Sequence, residues 1–216
     1  GSDMWVLKLD SSGNIQWQKA YGGSGDGEGA SSIQQTIDGG YILAGGTQSF
    51  GTGAMDMWIL KLDLDGNIQR QKAYGVRWND CAHSIQQTSD GGYIVAGHGG
   101  DDNPWVLKNN FWVLKLGSSG NIQWQKTYGG FGADTANSIQ QTSDGGYIVA
   151  GLTGHATTSL GGMWVLKLDS SGNIQWQKVY GGSGRGDSAL SIQQTSDGGY
   201  IVAGVKEPAD FWILKL

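Results

Sequence analysis

The chain has 216 residues, a net charge of −5 and 38% hydrophobic residues, with 39 glycines, 2 prolines and 10 tryptophans. So many tryptophans exclude a disordered chain, and glycine without a Gly-X-Y period excludes collagen. Only Arg70, Arg77 and Arg185 are arginines, so no basic stripe for nucleic acid exists, and no apolar run approaches the roughly 20 residues of a membrane span.

Gly1 and Ser2 read as a cloning scar, and no basic-then-apolar leader follows them, so any secretion signal is expected to lie outside this sequence. The first predicted strand is "MWVLKL" from Met4, rich in the residue types that suit a pleated surface. A "DSSGN" turn follows, its glycine supplying a positive φ, and "GNIQWQK" from Gly13 is the next strand. Beyond a glycine-rich connection come "SIQQT" from Ser32 and "DGGYILAG" from Asp38. Then the series restarts. The Trp-strand recurs at Met57, Phe111, Met163 and Phe211, and the "GNIQ" strand at Gly66, Gly120 and Gly172. "SIQQT" recurs at Ser84, Ser138 and Ser191, and "DGGYIVAG" at Asp90, Asp144 and Asp197.

No segment holds a 3.6-residue apolar period over ten positions, so the chain is expected to be all-β. A unit of about fifty residues with four antiparallel strands is the signature of a β-propeller blade. Residues 3–216 are accordingly one expected domain. The run "SIQQTSDGGYIVAG…WVLKLDSSGNIQWQK" resembles the repeats of secreted bacterial and archaeal β-propeller proteins, most of them functionally uncharacterised. It is also similar in layout to WD-type blades. The resemblance covers the whole chain and implies architecture; propellers host lectins, scaffolds and enzymes alike.

In the WD-like phase, strand a is "SIQQT", b is "YIVAG", c is "WVLKL" and d is "IQWQK". Strand a belongs innermost, where a narrow wet channel suits Ser, Gln and Thr. The chain then runs c-d, three a-b-c-d units and a-b-c, and the two end fragments are expected to make one composite blade that hides sheet edges. One c strand is left over. A ring of four blades with a spare strand, a larger ring shared between two chains, and a piece cut from a longer array all fit that arithmetic.

This phase puts the uniform a–b and c–d turns on one end of the ring and the divergent b–c and d–a loops on the other. Binding residues usually reside on such loops. Trp78 and Trp105 fall outside the repeated pattern; as exposed planes beside Asn79, Asp101, Asp102, His98 and His155 they would suit a sugar, and the alternative is that each loop buries its tryptophan. The other tryptophans recur at fixed strand positions and are expected to pack between blades. An acid precedes each a strand (Glu28, Asp80, Asp134, Asp187), suggesting an ion pair or a loop-anchoring hydrogen bond, with a carboxylate ring for a metal as the alternative.

Chemical motifs are weak. "DCAH" sets Cys81 near His83, but alignment of the repeats makes both substitutions at ordinary scaffold positions. "DLDGN" from Asp63 matches the other hairpin turns better than a calcium loop, and "GRGDS" from Gly184 contains a repeated acid. His98, His155, Asp101 and Asp102 match no zinc spacing. The lone Cys81 forms no internal disulfide. Together these readings point to a non-catalytic, carbohydrate-binding module, extracellular or on a cell surface, recognising a glycan or polymer. No cofactor, metal, catalytic residue, nucleic-acid partner or membrane partner is expected, and the chain is a monomer or a strand-sharing homo-oligomer. The alternative is a structural or self-assembling surface protein joining through its terminal strands.

Overall fold

The computed structural model describes residues 1–25, 27–76, 79–99, 109–130, 132–154, 161–181, 186–207 and 210–216. Among them every element is a strand. Chain order gives β1 (Met4–Leu9), β2 (Ile15–Tyr21), β3 (Gly29–Gln35), β4 (Tyr41–Thr47), β5 (Asp56–Leu62), β6 (Ile68–Tyr74), β7 (Cys81–Gln87), β8 (Tyr93–Gly99), β9 (Asn110–Leu116) and β10 (Ile122–Tyr128). Then follow β11 (Thr135–Gln141), β12 (Tyr147–Thr153), β13 (Gly162–Leu168), β14 (Ile174–Tyr180), β15 (Ser188–Gln194), β16 (Tyr200–Lys206) and β17 (Asp210–Lys215). The expected a, b, c and d modules are all strands, and each sheet is antiparallel with neighbours in chain order. This is a β-propeller of four-stranded blades. β3–β6, β7–β10 and β11–β14 are complete blades; β1–β2 is a c-d sheet and β15–β17 an a-b-c sheet.

The expected composite blade is not what the structure shows. β17 is itself a c strand and pairs with β16 from Ile201↔Lys215 to Lys206↔Asp210, so it holds the edge that β1 would need. The chain is therefore an open arc: β3 packs on β7, β7 on β11 and β11 on β15 along its inner side, and β15 has no such packing on β3.

Blades stack through a repeated core. One face of each c strand (Met57 and Ile59, for example) packs on the Trp-Leu-Leu face of the next blade, such as Trp112, Leu114 and Leu116. The expectation that the recurrent c-strand tryptophans pack between blades holds for Trp58, Trp112 and Trp164, which are all buried. Burying such a side chain contributes about 2–3 kcal/mol. The inner strands are sewn together by the "SIQQT" side chains. Ile85 N–H donates to Ser32 Oγ at 3.2 Å and Gln87 N–H to Gln34 Oε1 at 2.6 Å. The same pair of bonds recurs from Ile139 and Gln141 to Ser84 and Gln86, and from Ile192 and Gln194 to Ser138 and Gln140. Ser and Gln thus stand on strand a because they satisfy the edge N–H groups of the neighbouring inner strand.

Candidate functional site

The two ends of the blades are built differently. At the turn end, the c-strand lysine of each complete blade lies beside the aspartate of its "DGG" turn: Lys61–Asp38 and Lys115–Asp90 at 2.9 Å, Lys167–Asp144 at 2.8 Å. The ammonium groups are buried, the carboxylates about half exposed. A short hydrogen bond from Thr36 and the Lys61 ammonium together hold Asp38 down at a pKa of about 2. At the "DLDGN" turn, Asp63 accepts from the backbone N–H groups of Asp65 and Asn67, which explains the motif as a hairpin turn.

The loop end starts at the acids. Asp80, Asp134 and Asp187 are fully buried and Glu28 nearly so. Asp134 accepts from Gly130 N–H at 3.2 Å, Thr153 Oγ1 at 2.7 Å and Gly154 N–H at 3.1 Å, tying the d–a loop to the b–c loop of its own blade. Glu28 does the same with Thr47 and Ser49. Asp80 accepts from Val76 N–H and Asp187 from Glu207 N–H. The repeated acid is a loop anchor, and the repeated ion pair belongs instead to the "DGG" aspartates. Among the described residues no group of three or more His, Cys, Asp or Glu side chains is arranged to hold a metal.

Immediately beyond each acid, strand a carries a bulge opposite the last glycine of "YIVAG". The register shifts between Ala30 and Ser32, Ala82 and Ser84, Ala136 and Ser138, and Ala189 and Ser191. The extra residue is Ser31, His83, Asn137 or Leu190, different in every blade. A bulge re-aims a side chain and is common beside functional sites. Here it turns Asn137 to donate to Ser188 Oγ at 3.2 Å and Ala189 O at 2.7 Å in the next blade. It also sets His83 Nε2 at 2.8 Å from His98 Nδ1, with ring centroids 5.0 Å apart. Desolvation lowers the pKa of both rings, and His98 falls to about 4, so the pair is neutral at pH 7 with one proton between the facing nitrogens.

Of the residues expected at the site, His98 is therefore a half-buried partner of His83, and Asn79 is exposed beside a backbone bridge to Met55. Trp78, Trp105, Asp101, Asp102 and His155 lie outside the described residues. Cys81 sits across from His98 in the ladder, but its thiol contacts Ala82 O and burial pushes it up, so it makes no thiolate–imidazole pair. The contribution of His83 is the one that sequence reading missed; the signal was that His83 occupies one of the two positions in "DxAxSIQQT" that differ in every copy, the other being that of Gly29, Cys81, Thr135 and Ser188.

Three buried oxygens or carboxylates at this end keep an atom without a partner: Glu28 Oε2, Asp56 Oδ1 and Asn110 Oδ1, with Trp58 Nε1 the other such atom among the described residues. Glu28 precedes strand a, and Asp56 and Asn110 open c strands, so all three belong to the divergent-loop end.

No protein-family description matches the chain, and neither does any curated protein. Solved structures do. A Bacteroides caccae protein of unknown function aligns over 100% of this chain and 73% of its own at 13% identity, with a TM-score of 0.57. The WD40 β-propeller domain of Doa1 aligns over 94% of this chain and 54% of its own at 12% identity and TM-score 0.57. Sqt1 from Chaetomium thermophilum aligns over 93% and 48% at 12% identity and TM-score 0.56. The chain thus spans about half the length of these last two. The likeness is one of fold, to WD40-type propellers.

Proposed function

We propose that the protein is a non-catalytic binding module, extracellular or on a cell surface, that recognises a glycan or polymer through its b–c/d–a loop end. The observation that carries this reading is the concentration there of polar groups with unused capacity: Glu28 Oε2, Asp56 Oδ1 and Asn110 Oδ1 among fully ordered scaffold bonds. Burying such an atom unpaired costs about 1–3 kcal/mol, a cost that water or a polyhydroxylated ligand offsets. The bulge residues and Asn79 vary around these groups, as a site grafted on a repeat would. Trp78 and Trp105 supply the stacking planes in this reading, beside Asp101, Asp102, His98 and His155. The test is a broad glycan array probed with the labelled protein and with a Trp78→Ala/Trp105→Ala double variant. Binding that the double variant loses supports the proposal, and no binding by the unaltered protein sinks the ligand class.

A further inference from the structure

The four interfaces between successive sheets provide a template for what each end lacks. In each complete interface, strand d reaches forward to the c–d turn of the next blade. Tyr21 and Tyr128 donate their hydroxyls to Gly66 O and Gly172 O at 2.6 Å, Lys19 and Lys126 reach Asn67 and Asn173, and Trp17 and Trp124 donate to Leu64 O and Ser170 O. The equivalent residues of β14 are Trp176, Lys178 and Tyr180. They line a cleft of about 240 Å³ with Gly199, Tyr200 and Leu216, and no c–d turn of this chain sits in it.

The other end carries the missing part. The Asp10–Asn14 turn between β1 and β2 has the same internal bonds as the turns held elsewhere, with Asp10 N–H on Asn14 O and Asp10 Oδ1 on Asn14 N–H, yet no preceding blade holds it. Trp5 on β1 is 64% exposed, where its counterpart Trp58 is 1% exposed. On the inner strands, Ser191 and Gln193 are the last Ser/Gln pair and have no following strand to bond. Ile33 is 52% exposed, where Ile85 is 5% exposed, because β3 has no preceding inner strand.

We propose that these two ends are halves of one joint between two copies of this chain. The β1–β2 hairpin of one copy takes the place of β17 on β16 of the other. β1 and β17 are the same c module, so Met4 to Leu9 inherit the pairing of Phe211 to Leu216, and Lys8 replaces Lys215 at Asp197. The exchange conserves that ladder and adds what β17 cannot supply: a d strand, and the Asp10–Asn14 turn seated between Trp176, Lys178 and Tyr180. Ser191 and Gln193 then reach Ile33 and Gln35 N–H as Ser32 and Gln34 reach Ile85 and Gln87 in the interior. A second copy, rather than the chain's own hairpin, is the occupant because the arc is open: β1–β2 and β15–β17 form separate sheets, and β15 does not pack on β3. Each copy contributes four blades to a closed ring, within the range of propeller sizes. The joint is head-to-tail.

Light scattering on the whole chain tests this. The expected mass is twice 22.9 kDa. Trp5→Glu/Leu7→Lys and Lys178→Glu alter side chains exposed in the single chain, and each variant alone is expected at one-chain mass with an unchanged far-UV spectrum. Mixed in equal amounts they are expected to restore a two-chain particle, since the first keeps its cleft and the second its hairpin. Deletion of 210–216, which removes the competing strand, is expected to strengthen association. A one-chain mass for the unaltered protein up to millimolar concentration, or association indifferent to these variants, would overturn the proposal.

Discussion

Replacing His83 by Asn and His98 by Leu copies into the second complete blade the residues that the third carries, Asn137 and Leu152, and should remove most of the acid sensitivity of the fold above pH 4. The His98 pKa is held at about 4 by burial first and by the neighbouring His83 second, against an ordinary value of 6.5. The folded value lies below the unfolded one, so below pH 6.5 the unfolded chain binds more protons and stability falls until pH reaches about 4. At roughly 1.36 kcal/mol per pKa unit, the fall from pH 7 to pH 4.5 is about 2–3 kcal/mol for this one group. Geometry sets the same direction: a single proton fits between Nε2 and Nδ1 at 2.8 Å, and charging both rings would set two N–H donors against each other. Urea unfolding at pH 7 and pH 4.5 measures the difference directly. The unaltered protein is expected to lose that 2–3 kcal/mol and the double variant less than about 1 kcal/mol. An equal loss in both proteins would refute the placement of the pair.

Below pH 4 a second window opens, since Asp38, Asp90 and Asp144 are held at about 2 from 3.8. Depressed carboxylates stabilise fully above their unfolded pKa and lose that contribution as pH falls through the folded one. Half-exposed as they are, each is worth about 1 kcal/mol after screening, so a triple Asp→Asn variant should unfold earlier than the parent at pH 5 and at nearly the same temperature at pH 2. Gly97→Ala would set a Cβ 1.9 Å from Cys81 O, whereas Gly130→Ala meets nothing within 4 Å. The first should cost about 1–3 kcal/mol in denaturant unfolding and the second under about 0.5 kcal/mol. Asp134→Ala removes the acceptor of three hydrogen bonds in a fully buried place and should cost about 2–4 kcal/mol, seen as a lowered urea midpoint with unchanged slope.

Repetition made the blade legible. Four copies of "SIQQT", and three of "DGGYIVAG" with the variant "DGGYILAG", carry the strands, the turns and the phase, because period-2 alternation and turn glycines act locally. Closure was not legible, because it depends on a competition. β17 and Met4–Leu9 have equal claims on β16, and identical pairing chemistry gives sequence reasoning no way to choose between them. The lysine and acid repeats could be seen but not matched, since each element offered two acids; only the cross-sheet geometry assigns Lys61 to Asp38 and leaves Glu28 for the loops. His83 was discounted for being a variable residue at a scaffold position. That variability is what the bulge permits, and the sequence alone does not tell the bulged residue from the equally variable position of Gly29, Cys81, Thr135 and Ser188 two residues earlier.

The two ends of the blades diverge for a physical reason that the hydrogen bonds display. At the turn end, contacts from blade to blade are made by particular side chains: Tyr21 to Gly66, Lys19 to Asn67, Gln87 to the N–H of Ile37. Loss of one of these reaching side chains leaves a partner in the adjacent blade unpaired, at about 1–3 kcal/mol each, which favours keeping the same side chains in every blade. At the loop end, the anchoring carboxylates bond within their own blade, and the link that recurs between blades is backbone to backbone, from Glu28, Asp80 and Asp134 N–H to the carbonyls of Ser2, Met55 and Asn109, with the Asn137 side chain adding a bond to Ser188 and Ala189 at one interface. The recurrent links ask nothing of side-chain identity. Loops there can diverge one blade at a time while the ring stays registered, which is the property a recognition surface on a repeated scaffold requires, and it places the divergence on the same end as the unpaired oxygens of Glu28, Asp56 and Asn110.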